Sequence, residues 1–159
     1  MDTTTQGVAR TFGPETLPPA LRAACLLWLV AIGAGVVESV IGASGVIAAE
    51  GFGPGLAANI ALRTVVYGGA ALLVLHLYRG RGWARIALAV LLGCIGLATL
   101  VVPLVGWFAD GGDAGAALAA ADAADLAYYT VRGLHIAAVP AAMVAMFLPS
   151  SGAHLRRRP

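Results

Sequence analysis

Residues Ala23 to Ala43 read AACLLWLVAIGAGVVESVIGA, an apolar run of about 21 residues broken by a single charge, Glu38. A helix needs about 20 apolar residues to cross a bilayer, so the run is long enough to span. It follows Arg22 and ends near the small residues Ala43-Ser44-Gly45, features that a secretory signal peptide shares. A signal core is only about 7–15 residues long, however, and would not carry Glu38, so a retained helix is expected. Three further runs have comparable length. The spans are placed at about 23–43, 56–78, 83–108 and 126–148. The expected class is all-α: a polytopic membrane protein built as a four-transmembrane-helix bundle with both termini cytoplasmic.

Composition supports that class. Hydrophobic residues fill 60% of the 159 positions and charged residues only 11%, with a mean hydropathy of +0.87. A soluble domain carries about 25% charged residues. The charge here is too sparse to solvate a small globule, which also excludes disorder, a collagen-like repeat and a disulfide scaffold. Outside the spans remain two tails and three connections, none long enough for a soluble domain with its own core. Any activity therefore lies within the bundle or at its rims. A net charge of +2 gives no ground for a nucleic-acid partner.

The chain divides into a flexible cytoplasmic tail over 1–20, a transmembrane domain over 21–149 and a basic cytoplasmic tail over 150–159. Spans one and two are joined by the Gly-rich stretch SGVIAAEGFGPG, with Pro54 at a helix start, where its missing N–H is harmless. RGRG joins spans two and three. Pro103 bends the far end of the third span, Pro140 kinks the fourth, and Pro149 helps to stop it. The stretch ADGGDAGAALAAADAAD precedes the fourth span, and its Ala-rich half is expected to extend that helix outward.

All ten basic residues are arginine, and their placement predicts topology. Arg10 and Arg22 precede the first span, Arg79, Arg81 and Arg85 cluster between the second and third, and Arg156, Arg157 and Arg158 end the chain. The other two connections hold no basic residue and carry Glu50, Asp110, Asp113, Asp122 and Asp125. The positive-inside rule places both termini and the RGRG link on the cytoplasmic side. Trp83, Tyr78 and Phe147 fall at the cytoplasmic ends, and Trp107, Phe108, Tyr128 and Tyr129 at the outer ends, where amphipathic rings prefer the headgroup level.

Glu38, Arg63 and Arg132 stand inside apolar spans, where a charge costs about 2.5–3.5 kcal/mol on insertion scales. At 1.5 Å per residue they lie about 8, 10 and 9 Å from the outer ends of their helices, which predicts one shared level. Asn59, Arg63 and Tyr67 stand four apart on one face of the second span. Asp125, Tyr128, Arg132 and His135 form a comparable stripe on the fourth. Ala31, Gly35 and Gly42 are small facing positions around Glu38 and would let an arginine-bearing helix approach. Two readings follow. In a structural lock, Glu38 neutralises one arginine while the second snorkels outward or meets Asp125. In a functional pocket, the cluster Glu38, Asn59, Arg63, Tyr67, Tyr128, Arg132 and His135 receives an anionic headgroup or small anion.

Other chemistries find little support. His76 and His135 could suggest haem ligation, but they lie about 30 and 14 Å along their spans, too far apart in depth for one haem. His154 falls in the tail. Cys25 and Cys94 differ in depth by about 10 Å, beyond the about 7 Å that a disulfide allows between Cα atoms, and both read as small buried apolar residues. No ligand cluster implies a metal, and no cofactor is expected. In RGRGWARI, Arg79, Arg81 and Arg85 are candidate contacts for anionic lipid, at about 1 kcal/mol each near the surface. Topology alone would also explain them.

The RGRGWARI link (Arg79 to Ile86), taken with FLPSS (Phe147 to Ser151), resembles small four-span integral membrane proteins of actinobacteria. That resemblance covers mainly the second half of the chain and implies a plasma-membrane location without a reaction. The lack of lysine and the Ala/Gly/Arg bias fit a high-GC bacterium. Small multidrug-resistance transporters, which have four spans and a glutamate in the first, are matched only by Glu38. The expected function is that of a non-enzymatic accessory or interaction component of the membrane. The alternative is a small transporter or channel for an anionic or amphiphilic solute. Gly33, Gly35, Ser39 and Gly42, Gly68 and Gly69, and Gly93 and Gly96 are expected to pack helices, within one bundle or in a homo-oligomer or membrane complex.

Overall fold

The computed structural model describes residues 17–156, so Arg10, Arg157 and Arg158 lie outside the described residues. These residues form α1 (Pro19–Glu50), α2 (Pro54–Tyr78), α3 (Gly82–Ala109), α4 (Ala114–Ala120), α5 (Ala123–Phe147) and α6 (Pro149–Arg156), with no strand among them. The helices α1, α2, α3 and α5 have 32, 25, 28 and 25 residues and are apolar enough to cross a membrane. The chain is a four-helix membrane bundle. Its outward face is a belt of bare hydrocarbon, with Val65 72% and Val102 66% exposed. A patch of that extent is stable only against lipid or protein.

Local chemistry sets the helix ends. Pro19 and Pro54 occupy first turns, where no N–H is required. α2 closes with the Gly80 N–H on Leu77 O and the Arg81 N–H on His76 O. α3 closes in the same way, Gly111 on Phe108 and Gly112 on Trp107. This double closure needs a left-handed residue, supplied by Gly80 (φ 84°) and Gly111 (φ 89°). Gly80→Ala is therefore expected to destabilise the bundle by about 1–2 kcal/mol, the cost of a left-handed non-glycine residue. Gly33→Ala, where an added Cβ meets nothing within 4 Å, should not destabilise. Parallel thermal unfolding of the two variants in detergent checks the contrast.

Three expectations about boundaries need correction. α1 does not end at Ala43 but continues through SGVIAAE to Glu50. Ser44 turns its hydroxyl back onto Ile41 O within the helix, and one interior glycine costs only about 1 kcal/mol relative to alanine. The Ala-rich stretch does not extend the fourth span. Asp122 interrupts it by capping α5, accepting from the Ala124 and Asp125 N–H groups, while the Asp125 carboxylate accepts the Asp122 N–H. The alanines before it form the separate helix α4, capped by Asp113. Finally, residues 150–156 are not a tail but α6, which folds back onto the bundle. Its Ser151 hydroxyl donates to Ala145 O, and Ser151, His154 and Leu155 are buried.

The core lies toward one end. Leu21, Trp28, Leu77, Leu88, Val139 and Met146 are fully buried, and all lie in the half nearer α6 and the RGRG turn. There Gly93, in a π-helical stretch Ala89–Gly96 of α3, lets α5 approach so closely that a Cβ would collide with Met143 Sδ. Toward the acidic connections the packing thins, and α2 buries nothing fully before Ala70. Glycines expected to pack helices reflect this difference. Gly35 and Gly93 make close approaches, whereas Gly33, Gly42, Gly68 and Gly69 face open space. Cys25 is buried and Cys94, contrary to expectation, is exposed; neither is in a disulfide. The bundle is sealed at its basic end and splayed at its acidic end.

Candidate functional site

Glu38 is held on the inner face of α1 by two residues from α5. Arg132 Nη1 donates to its Oε1 at 2.8 Å, and His135 Nδ1 lies 3.1 Å from its Oε2. An ionised carboxylate only accepts, so Nδ1 carries the proton in that contact. Arg132 is itself fixed by Tyr128 OH at 3.0 Å and, through Nη2, by Leu100 O at 2.8 Å in α3. The Glu38 side chain retains only 7% exposure. A low-dielectric ion pair is favourable only when its remaining donors and acceptors are also met. Here both carboxylate oxygens are occupied.

Arg63 belongs to a different network at the same level. Its Nε donates to Asn59 Oδ1 at 2.8 Å, one turn earlier on α2, and its Nη1 to Ser39 Oγ at 3.1 Å and Tyr67 OH at 3.4 Å. Ser39 Oγ and Tyr67 OH both donate to Gly35 O, at 2.7 and 2.9 Å. Arg63 forms no ion pair among the described residues, and its Nη2 makes no hydrogen bond to them. The expected neutralisation of one arginine by Glu38 thus falls to Arg132. The suggested meeting of an arginine with Asp125 does not occur, because Asp125 serves the cap of α5. Ser39, foreseen only as a packing residue, is the acceptor that ties Arg63 to α1.

Gly35 is the point where these networks approach. A Cβ there would lie 3.0 Å from His135 Cε1 and 3.0 Å from Tyr67 Cε1. Gly35→Ala is expected to push both rings away and cost about 1–3 kcal/mol, as overpacking does. The midpoint of thermal unfolding in detergent should fall accordingly.

Between the splayed helices lies a cleft of about 780 Å³. α1 supplies Glu38 and Ser39, α2 supplies Asn59, Arg63 and Tyr67, and α3 closes the far side at Thr99 and Leu100. Gly42 and Gly68 keep its walls low. Two arginines and one glutamate leave it with a formal excess of one positive charge. A second pocket of about 530 Å³ adjoins it, lined by Pro103, Trp107, Phe108, Leu118 and Ile136. Tyr128 and Arg132 stand in the walls of both. A largely apolar cleft that carries a few charged and polar side chains thus adjoins a more apolar pocket across a single pair of side chains.

The remaining candidates separate. Arg79 and Arg81 are exposed at the RGRG turn, whereas Arg85 turns inward, its Cζ 4.9 Å from the centre of the Phe147 ring. The three do not form one contact surface. His76 bonds Leu72 O at 2.7 Å and packs at a tilt against Trp83, ring centres 5.3 Å apart, away from His135. No group of three His, Cys, Asp or Glu side chains suited to a metal occurs among the described residues. No family model, curated protein or solved structure matches the chain.

Proposed function

We propose that this protein binds an anionic amphiphile from the membrane, with the headgroup against Arg63 in the cleft and the chain along the adjoining apolar pocket. One observation carries this reading. Among the described residues the only carboxylate lining the cleft, Glu38, is taken up by Arg132 and His135, which leaves Arg63 held in place with a guanidinium edge that makes no bond to them. A cation preorganised by Asn59, Ser39 and Tyr67 needs little reorganisation to accept an oxyanion. The shared wall of Tyr128 and Arg132 favours an amphiphile over a small inorganic ion.

This reading favours a small carrier or transporter over an accessory component, because a fully self-neutralised bundle would leave no ligand cation. It is a binding function without catalysis. The arginine bias puts the basic end in the cytoplasm, so the cleft opens in the outer leaflet. The resemblance to actinobacterial four-span proteins supports a bacterial plasma membrane as the location. Purified protein titrated with dodecyl phosphate and dodecylphosphocholine, which share one chain and differ in head charge, should prefer the phosphate. Equal binding of the two would overturn the assignment.

A further inference from the structure

Two arginines converge at the opposite end of the bundle, remote from the cleft. Arg85, near the start of α3, lies over the Phe147 ring, its Cζ 4.9 Å from the ring centre. Its Nε is buried without a hydrogen-bond partner. Arg156 approaches from the last turn of α6. A Cβ on Gly152 would lie 3.5 Å from Arg85 Nη1 and 3.6 Å from Arg156 Nη1, so both guanidinium groups reach the same side of Gly152, where the missing side chain lets them converge. Neither arginine forms an ion pair among the described residues. In the same short helix His154 is only 9% exposed, and its Nε2 has no partner.

Two cations facing one space repel each other unless an anion lies between them, and an orphaned buried N–H is a donor awaiting an acceptor. The described carboxylates are all elsewhere, at Glu38 and on the acidic connections. We infer that Arg85 and Arg156 clamp one phosphate group across Gly152. Two guanidinium groups donating at about 2.7–2.9 Å can share the oxygens of one tetrahedral phosphate. Exposed Trp83 and Phe147 mark this as headgroup level, so the phosphate is that of an anionic phospholipid. Docked there, the lipid would hold α6 to the base of α3.

The test is done in the Arg63→Gln background, so that the cleft does not contribute to the signal. Detergent-solubilised protein is titrated with phosphatidylglycerol, phosphatidylcholine or inorganic phosphate, and native mass spectrometry reads the bound fraction. Phosphatidylglycerol should bind preferentially. Arg85→Gln/Arg156→Gln should weaken it about tenfold, equivalent to ~1.4 kcal/mol. Arg79→Gln/Arg81→Gln, which removes the same charge from the exposed turn, should weaken it by a clearly smaller factor. Because Arg85 is partly buried, Arg156→Gln alone provides a variant at an exposed position, and it should weaken binding in the same direction. Full competition by inorganic phosphate would support the clamp and identify its ligand as free phosphate. Equal losses in both double variants, or no preference for phosphatidylglycerol over phosphatidylcholine with no phosphate binding, would overturn the site.

Discussion

Glu38→Leu is expected to destabilise the bundle by about 3–5 kcal/mol, the loss typical when one member of a buried ion pair is removed. Arg132 would remain held by Tyr128 OH and Leu100 O, with its charge uncompensated. His135 would lose its only side-chain hydrogen-bond partner among the described residues at the same time. At about 2–4 °C per kcal/mol for a chain of this size, the unfolding midpoint in detergent should fall by about 10 °C. Glu38→Leu/Arg132→Met should recover much of the loss, because replacing both partners by apolar groups removes the orphaned charge. A double variant as unstable as the single one would show that the pair is not the source of the effect.

Arg63→Gln is expected to behave in the opposite way, with large consequences for ligand and small ones for the fold. Arg63 is exposed, and its partners Asn59, Ser39 and Tyr67 are neutral, so its removal strands no charge. Ser39 and Tyr67 keep their bonds to Gly35 O. An oxyanion bound to the guanidinium would lose a charge-assisted contact of about 1.5–3 kcal/mol, or roughly ten- to a hundredfold in affinity. Thermal unfolding of this variant should match that of the parent. The two substitutions thus distinguish a charge that holds the structure from one that serves a ligand.

The amino-acid sequence makes some of this legible, for definable reasons. Four long apolar runs are unambiguous because hydrocarbon tolerates little else, and Glu38, Arg63 and Arg132 stand out against them. Their common level follows from helix rise alone. Which arginine Glu38 takes does not, because that depends on how each helix is rotated and which helices adjoin. α1 packs most closely along α5, its most distant span in sequence. Glu38 and Ser39 are one residue apart on α1, about 100° around the helix, so each meets an arginine from a different neighbour. The splayed acidic end is equally invisible to periodicity.

α6 was missed for another reason. Ser151, His154 and Leu155 stand three and four apart, the spacing of a buried helical face, but the arginines that follow obscure it. The break between α4 and α5 hides within alanines, whose propensity gives no warning. Only Asp122, with an acid three residues on, marks the start of a helix there. Ser39 reads as one more small packing residue of α1, and nothing in the sequence marks it as a partner of Arg63.

The most direct test of a ligand cation in the cleft is a four-value cycle of dissociation constants. Dodecyl phosphate and dodecylphosphocholine would each be measured against the parent protein and Arg63→Gln. The parent should favour the phosphate by roughly ten- to a hundredfold, and Arg63→Gln should bring the two ligands close to parity. A phosphate preference of the same size in both proteins would contradict the account, because the headgroup would then be read somewhere other than Arg63.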